Sequence, residues 1–124
     1  MESMGHVRVP VTLSGPSGRS ETLTMLVDTG STYTWVPQVV LASLGVAPLR
    51  PHRFQLGDGR IVERQLGEAV AEVMGTRTTT IVVFALEGDA TVLGVYALEG
   101  LALEVDPAHE TLRPMDHLLF MAAA

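Results

Sequence analysis

The chain opens on a strict two-residue alternation: Val7, Val9, Val11 and Leu13 fall on one side, Arg8, Pro10 and Thr12 on the other. Period two with β-branched residues predicts a half-buried strand, and Pro10, which has no N–H to donate, suits an edge position. Ser14-Gly15-Pro16-Ser17-Gly18-Arg19 is a turn cluster; glycine supplies positive φ there and proline presets the bend. Residues 21–28 then alternate again, with Leu23, Met25 and Val27 against Thr22 and Thr24. Residues 7–28 therefore predict a β-hairpin whose second strand runs into Asp28-Thr29-Gly30.

Beyond it the pattern changes period. Residues 38–44 follow Pro37 and stop at Gly45, the asymmetry expected of a short helix. Pro48 and Pro51 hold the next stretch extended. Phe54–Leu56, Gly57-Asp58-Gly59 and the residues from Ile61 predict a second hairpin, because Asp-Gly is a strong tight-turn signal. Residues 68–74 alternate, Gly75-Thr76 turns, and residues 78–86 form a run rich in Thr, Ile, Val and Phe that breaks at Gly88-Asp89. Val92-Leu93-Gly94 is a short apolar piece before a helical Val95–Leu101, and a last strand near Ala102–Val105 ends at Asp106-Pro107. Leu118-Leu119-Phe120-Met121 is apolar with no evident place in a monomer core. The expected architecture is mostly β, with hairpins and one or two short helices.

Composition narrows the function. At 47% hydrophobic and 18% charged, the chain is globular rather than disordered. Its 124 residues make one domain, 1–124, with a core at about 7–106. The net charge of −6 argues against nucleic acid and anionic membranes as partners. The absence of cysteine removes disulfides, thiolate metal sites and a cysteine nucleophile together. His6, His52, His109 and His117 are scattered without an H-x-x-x-H pair, so neither metal nor cofactor is expected and the histidines read as surface residues. There is no apolar run of ~18 residues to insert in a membrane, and the first residues lack the basic and apolar regions of a signal peptide. The expectation is a cytoplasmic protein.

The sharpest chemical feature is Leu26-Val27-Asp28-Thr29-Gly30-Ser31. It puts a carboxylate where an apolar strand opens into a loop. The Thr29 hydroxyl can fix the surrounding backbone, and Gly30 lets that backbone approach the carboxylate. The plainer reading of the tripeptide is a strand-ending Asp in an Asx-turn. Trp35 just beyond reads as core or as packing beneath the loop rather than as a substrate platform.

In order and spacing, three elements of this sequence resemble the retropepsins, the single-domain aspartic proteases of retroviral type and their bacterial relatives. They are Leu26-Val27-Asp28-Thr29-Gly30-Ser31, the glycine-bearing hairpin tip Gly57-Asp58-Gly59, and Val92-Leu93-Gly94 opening a short helix. The resemblance covers roughly residues 7–106. It implies a closed β-barrel forming one half of an acid protease, completed by homodimerisation. Asp28 would be acid and base, Thr29 the hydroxyl bracing the paired loops, and Gly30 the close backbone approach. Ser31 and Thr32 would line the substrate cleft together with a flap tip at Gly57, Asp58 and Gly59, while Val92, Leu93 and Gly94 pack beneath the Asp loop. Thr32 and Tyr33 match no family motif closely, and the tip carries fewer glycines than retroviral flaps. The tail, 107–124, corresponds to terminal strands that build a dimer-spanning sheet in retroviral relatives, though the stretch from Val105 to Leu118 is longer than in a minimal protease; a disordered tail is the other reading.

The chemistry implied is proteolysis by two carboxylates sharing one proton. The sequence holds a single Asp-Thr-Gly, so a working site needs Asp28 from each of two chains. The expected partners are a second copy and a peptide or protein substrate. Two alternatives stand beside this: a retropepsin-like domain that binds peptide or dimerises without cleaving, and an unrelated β-domain serving as an interaction module, in which Asp28 faces solvent unpaired.

Overall fold

The alternation at the start of the chain becomes strand β1 (Arg8–Ser14), with Val9, Val11 and Leu13 turned inward. It pairs antiparallel with β2 (Ser20–Val27) from Arg8↔Leu26 to Ser14↔Ser20. This computed structural model describes residues 7–121. The remaining elements are β3 (Thr34–Pro37), α1 (Gln38–Ser43), β4 (Arg50–Gln55), β5 (Ile61–Val73), β6 (Thr76–Ala85), β7 (Val92–Leu93), α2 (Val95–Leu101), β8 (Leu103–Asp106) and β9 (Thr111–Pro114).

Seven strands join in the order β1-β2-β7-β3-β6-β5-β4, and β1 also pairs with β5. That extra pairing, Thr12↔Glu72 to Ser14↔Val70, closes six strands into a ring and leaves β4 outside it. Closure removes the exposed edges an open sheet would present. β5 serves two structures at once. Residues from Leu66 onward pair with β6 inside the ring, while residues 61–66 pair with β4 to form a projecting hairpin. A 13-residue strand is what this double duty requires.

Alternating faces sort the apolar residues into two clusters. Val11, Leu13, Met25, Val27, Val36, Leu41, Val82, Leu93 and Leu98 belong to the barrel core. Trp35, Leu66, Val83, Ala85 and Val92 form a second cluster, with Tyr33, Phe54 and Val62 packed on it beneath the hairpin. Consecutive residues Val82–Ala85 alternate between the two. Both faces of β6 are therefore buried, and its sequence reads as a continuous apolar run rather than an alternation.

The structure contains two strands that the sequence pattern does not predict. β3 is one: it is four residues long, buried on both faces, and ends at a proline, so it offers neither alternation nor length as a signal. β9 was read as an excursion, but it pairs with β8 from Leu103↔Pro114 to Asp106↔Thr111, and Leu112 is 3% exposed in the barrel core. The core therefore extends past Asp106, where the sequence had ended it. Residues 118–121 are in no strand and stay exposed, Phe120 at 87%. His6 and residues 122–124 lie outside the described chain.

Candidate active site

Asp28 is positioned by the strand on each side of its loop. β2 and β7 run parallel, Leu26↔Val92 and Val27↔Leu93, and the Asp28 N–H continues that ladder to Leu93 O at 2.9 Å. The loop 28–33 then swings out and returns through β3, which pairs antiparallel with β7 at Trp35↔Val92. One short strand is thus gripped on both sides by the two ends of the Asp loop.

The loop is also tied to α2. The first helical N–H groups lack partners within a helix; here Val95 N–H donates to Ser31 O at 2.8 Å and Tyr96 N–H to Thr32 O at 3.0 Å. Gly94 N–H donates to the buried Thr34 Oγ1 at 3.0 Å. A Cβ on Gly94 would lie 2.4 Å from Tyr33 O and 2.8 Å from Ser31 O, so no other residue fits without moving the loop. Val92, Leu93 and Gly94 are therefore joined to the Asp loop by backbone hydrogen bonds and close contact.

Within the loop, the Asp28 carboxylate accepts Gly30 N–H at 3.0 Å, and Ser31 N–H donates to Asp28 O at 3.1 Å. A Cβ on Gly30 would lie 3.3 Å from Asp28 Oδ1, its one near neighbour. The Ser31 hydroxyl donates to Tyr33 O at 2.8 Å, so it braces the loop as well as lining the space above it. Thr29 and Thr32 are exposed on the loop.

Above the loop opens a cleft of about 810 Å³, within the size range of ligand sites. Asp28, Gly30, Ser31 and Thr32 line it from below, Tyr33, Trp35 and Phe54 give it an aromatic side, and Gly88, Asp89 and Ala90 form a further wall. Trp35 and Phe54 meet edge to face at 5.1 Å. Trp35 is 9% exposed, so it fills the second core and borders the cleft together.

The hairpin tip reaches the same space. Leu56 N–H donates to Arg60 O and Gly59 N–H to Leu56 O, closing the turn the sequence predicted. Gly57 and Arg60 line the cleft, whereas Asp58 and Gly59 do not. The Asp58 carboxylate turns back to Arg60, accepting its backbone N–H at 3.0 Å and its Nε–H at 2.8 Å. These two bonds hold Asp58 below its ordinary carboxylate value.

Three contributors were not singled out in the sequence. Thr34 is fully buried and holds Gly94; a threonine in an apolar segment after the motif was its one signal. His52, read as surface, is exposed but lines the cleft and meets Phe54 at 5.6 Å. Asp89, read as a strand-end residue, lines the cleft in a two-pronged ion pair with Arg64, Nε to Oδ2 at 2.7 Å and Nη2 to Oδ1 at 3.0 Å. The Arg64 hydrogen bonds hold Asp89 below the usual carboxylate range. Among the described residues no cluster of three or more His, Asp or Glu could hold a metal ion, and no helix is long and apolar enough to cross a membrane.

A family model for aspartyl proteases matches residues 9–97, a span that contains the Asp28 loop, the hairpin and the Val92-Leu93-Gly94 support. The chain belongs to the aspartyl protease family. The solution structure of the simian foamy virus (mac) protease is similar over 73% of this chain and 91% of its own, at a TM-score of 0.50 and 18% identity. That similarity is one of fold. No curated protein matches the chain.

Proposed function

We propose that this protein is an aspartic endopeptidase acting as a homodimer, with Asp28 of each of two copies meeting across a twofold axis. The observation that carries the reading is the Asp28 carboxylate, held by Gly30 N–H on a loop pinned to β7 and α2, at the floor of a cleft. Among the described residues the only other carboxylate lining that cleft is Asp89, kept ionised by Arg64. It is unsuited to donate a proton, so the second carboxylate comes from a second copy.

Two carboxylates ~3 Å apart share one proton. The ionised one takes a proton from water as the water oxygen bonds to the scissile carbonyl carbon, and the protonated one gives its proton to the carbonyl oxygen. Collapse of the resulting diol breaks the C–N bond. The first carboxylate passes its proton to the leaving nitrogen, the second recovers one from a diol hydroxyl, and the pair returns to its starting state. Thr29 braces the two loops against each other and Gly30 keeps its N–H on the carboxylate. Ser31, Thr32 and Gly57 hold an extended peptide by backbone pairing, and the hairpin tip that Asp58 and Gly59 complete acts as a flap. Trp35, Phe54 and Leu56 favour apolar side chains. The exposed Leu118–Met121 row supplies apolar surface for the partner copy.

The test is cleavage of a peptide library from about pH 3.5 to about pH 7.5, comparing wild type with Asp28→Asn. Cleavage by wild type and a loss of at least about 1,000-fold in the variant is the expected result. If neither cleaves while both sediment as dimers, the peptide-binding reading replaces this one. With −6 on each copy, dimer affinity should rise with ionic strength as repulsion is screened; sedimentation shows whether it does.

A further inference from the structure

Arg64 occupies a junction. It lies on β5 two residues before Leu66, where the strand leaves the β4 hairpin and begins pairing with β6. Asp89 lies 25 residues away on the segment between β6 and β7, whose Gly88–Ala90 stretch walls the cleft. The guanidinium fork meets both carboxylate oxygens, at 2.7 and 3.0 Å, an arrangement that fixes angle as well as distance. The remaining capacity of both groups is used locally. Asp89 Oδ2 also accepts Leu86 N–H at 2.8 Å, and Arg64 Nη1 donates to Glu63 O at 2.9 Å.

The side chains are 14% and 10% exposed, unlike the solvated pair at the hairpin tip. Removing one partner of such a pair strands a poorly hydrated charge, so the two segments are held to one spacing. Downstream the same segment runs straight into Val92-Leu93, which carries the Asp28 loop. The cleft wall is therefore fixed at its far end by the barrel and in its middle by the hairpin's root.

We propose that Arg64 and Asp89 are a clamp joining the root of the flap to the cleft wall, and that both are positioning residues for the substrate side chain that packs on that wall. The inference rests on the protease reading for its kinetic consequence but not for its structural one. Motion of the flap is confined to the hairpin beyond Arg64, and the wall stays preformed whether the tip is open or closed.

Asp89→Asn, Arg64→Gln and the double variant, each in the full chain, test this by amide exchange and by kinetics on the best-cleaved library peptide. Each single variant should speed exchange about tenfold in both 61–66 and 86–91 while β1 and β2 stay unchanged. The double variant should be no worse than the worse single. KM should rise about fivefold or more with kcat within about twofold, since the chemistry at Asp28 is untouched. Arg64→Lys, which keeps the charge and loses the fork, should fall between, and serves if a neutral variant fails to fold. Faster exchange at 86–91 alone would reduce Asp89 to a local loop cap and overturn the clamp. A fall in kcat with KM unchanged would mark a merely structural pair and overturn it too. If wild type cleaves nothing, the protease reading fails, and the exchange result still decides the clamp.

Discussion

The loop carrying Asp28 and the tip carrying Gly57-Asp58-Gly59 border the same cleft, yet they are anchored in opposite ways. The loop's bonds go to distant chain: Asp28 to Leu93, Ser31 to Val95, Thr32 to Tyr96, and Thr34 to Gly94 across 60 residues. The tip's bonds stay within five residues, Leu56 with Arg60, Gly59 with Leu56, Asp58 with Arg60. Disturbing the floor therefore disturbs the barrel, while opening the tip leaves these long-range bonds in place and disturbs only the packing of Leu56 on the second cluster. This division suits an enzyme that must hold its reacting groups still and still admit a polymer.

The largest break in that comparison is Gly94→Ala. The added carbon meets backbone at 2.4 Å on Tyr33 and 2.8 Å on Ser31, and both ends of the contact are pinned by the ladders around β7. With no flexible side chain to yield, the cost should be at least about 3 kcal/mol. Denaturant unfolding reads this directly. A variant that unfolds at the wild-type midpoint would show that the floor is as yielding as the tip.

Thr34→Val tests the floor more gently. The side chain is fully buried and its oxygen is the acceptor for Gly94 N–H. Valine keeps the shape and leaves that N–H without a partner, at about 1–3 kcal/mol. Thr34→Ser, which keeps the acceptor, should recover most of the loss. Equal losses for valine and serine would place the effect in packing rather than in the bond.

Asp89 belongs to the clamped region, and its titration carries a sign. Its folded-state value lies below the ordinary 3.8, so its contribution is present above that value and is lost as pH falls through the folded one. At neutral pH, Asp89→Asn should cost about 1–2 kcal/mol. Below about pH 4 the gap between wild type and variant should narrow, as the wild-type carboxylate takes up its proton. A gap that stayed constant on acidification would mean that the charge of Asp89 does not matter to the fold.

How much of this was legible in the sequence follows from what each element depends on. Alternation gave β1 and β2, and proline and glycine punctuation gave α1, α2 and the turn at Gly57–Gly59, because local chemistry determines these. Gly94 stood out within an ordered set of short motifs, and at that position the close backbone of Tyr33 and Ser31 excludes a side chain. β3 was hidden because both its faces are buried, which leaves no period to read. β9 was hidden because its one inward residue, Leu112, sits among polar neighbours. The Arg64–Asp89 pair had no local trace at all. Two charges 25 residues apart look like solvated surface until the closure of the barrel brings the hairpin root to the cleft wall.

The smallest effect belongs to the tip. Arg60 and Asp58 are paired at 2.8 Å but are 69% and 59% exposed. Water screens such a pair, and ordering two solvated side chains offsets what attraction remains. The bond from Arg60 N–H to the Asp58 carboxylate is made by the backbone and survives loss of the arginine side chain. Arg60→Ala should therefore leave the melting temperature within about 2 °C of wild type. Because Arg60 lines the cleft, KM should shift, but by less than about threefold. A drop of many degrees would mean that the tip is knit into the barrel as firmly as the Asp28 loop. The flap would then have to move against the core rather than beside it.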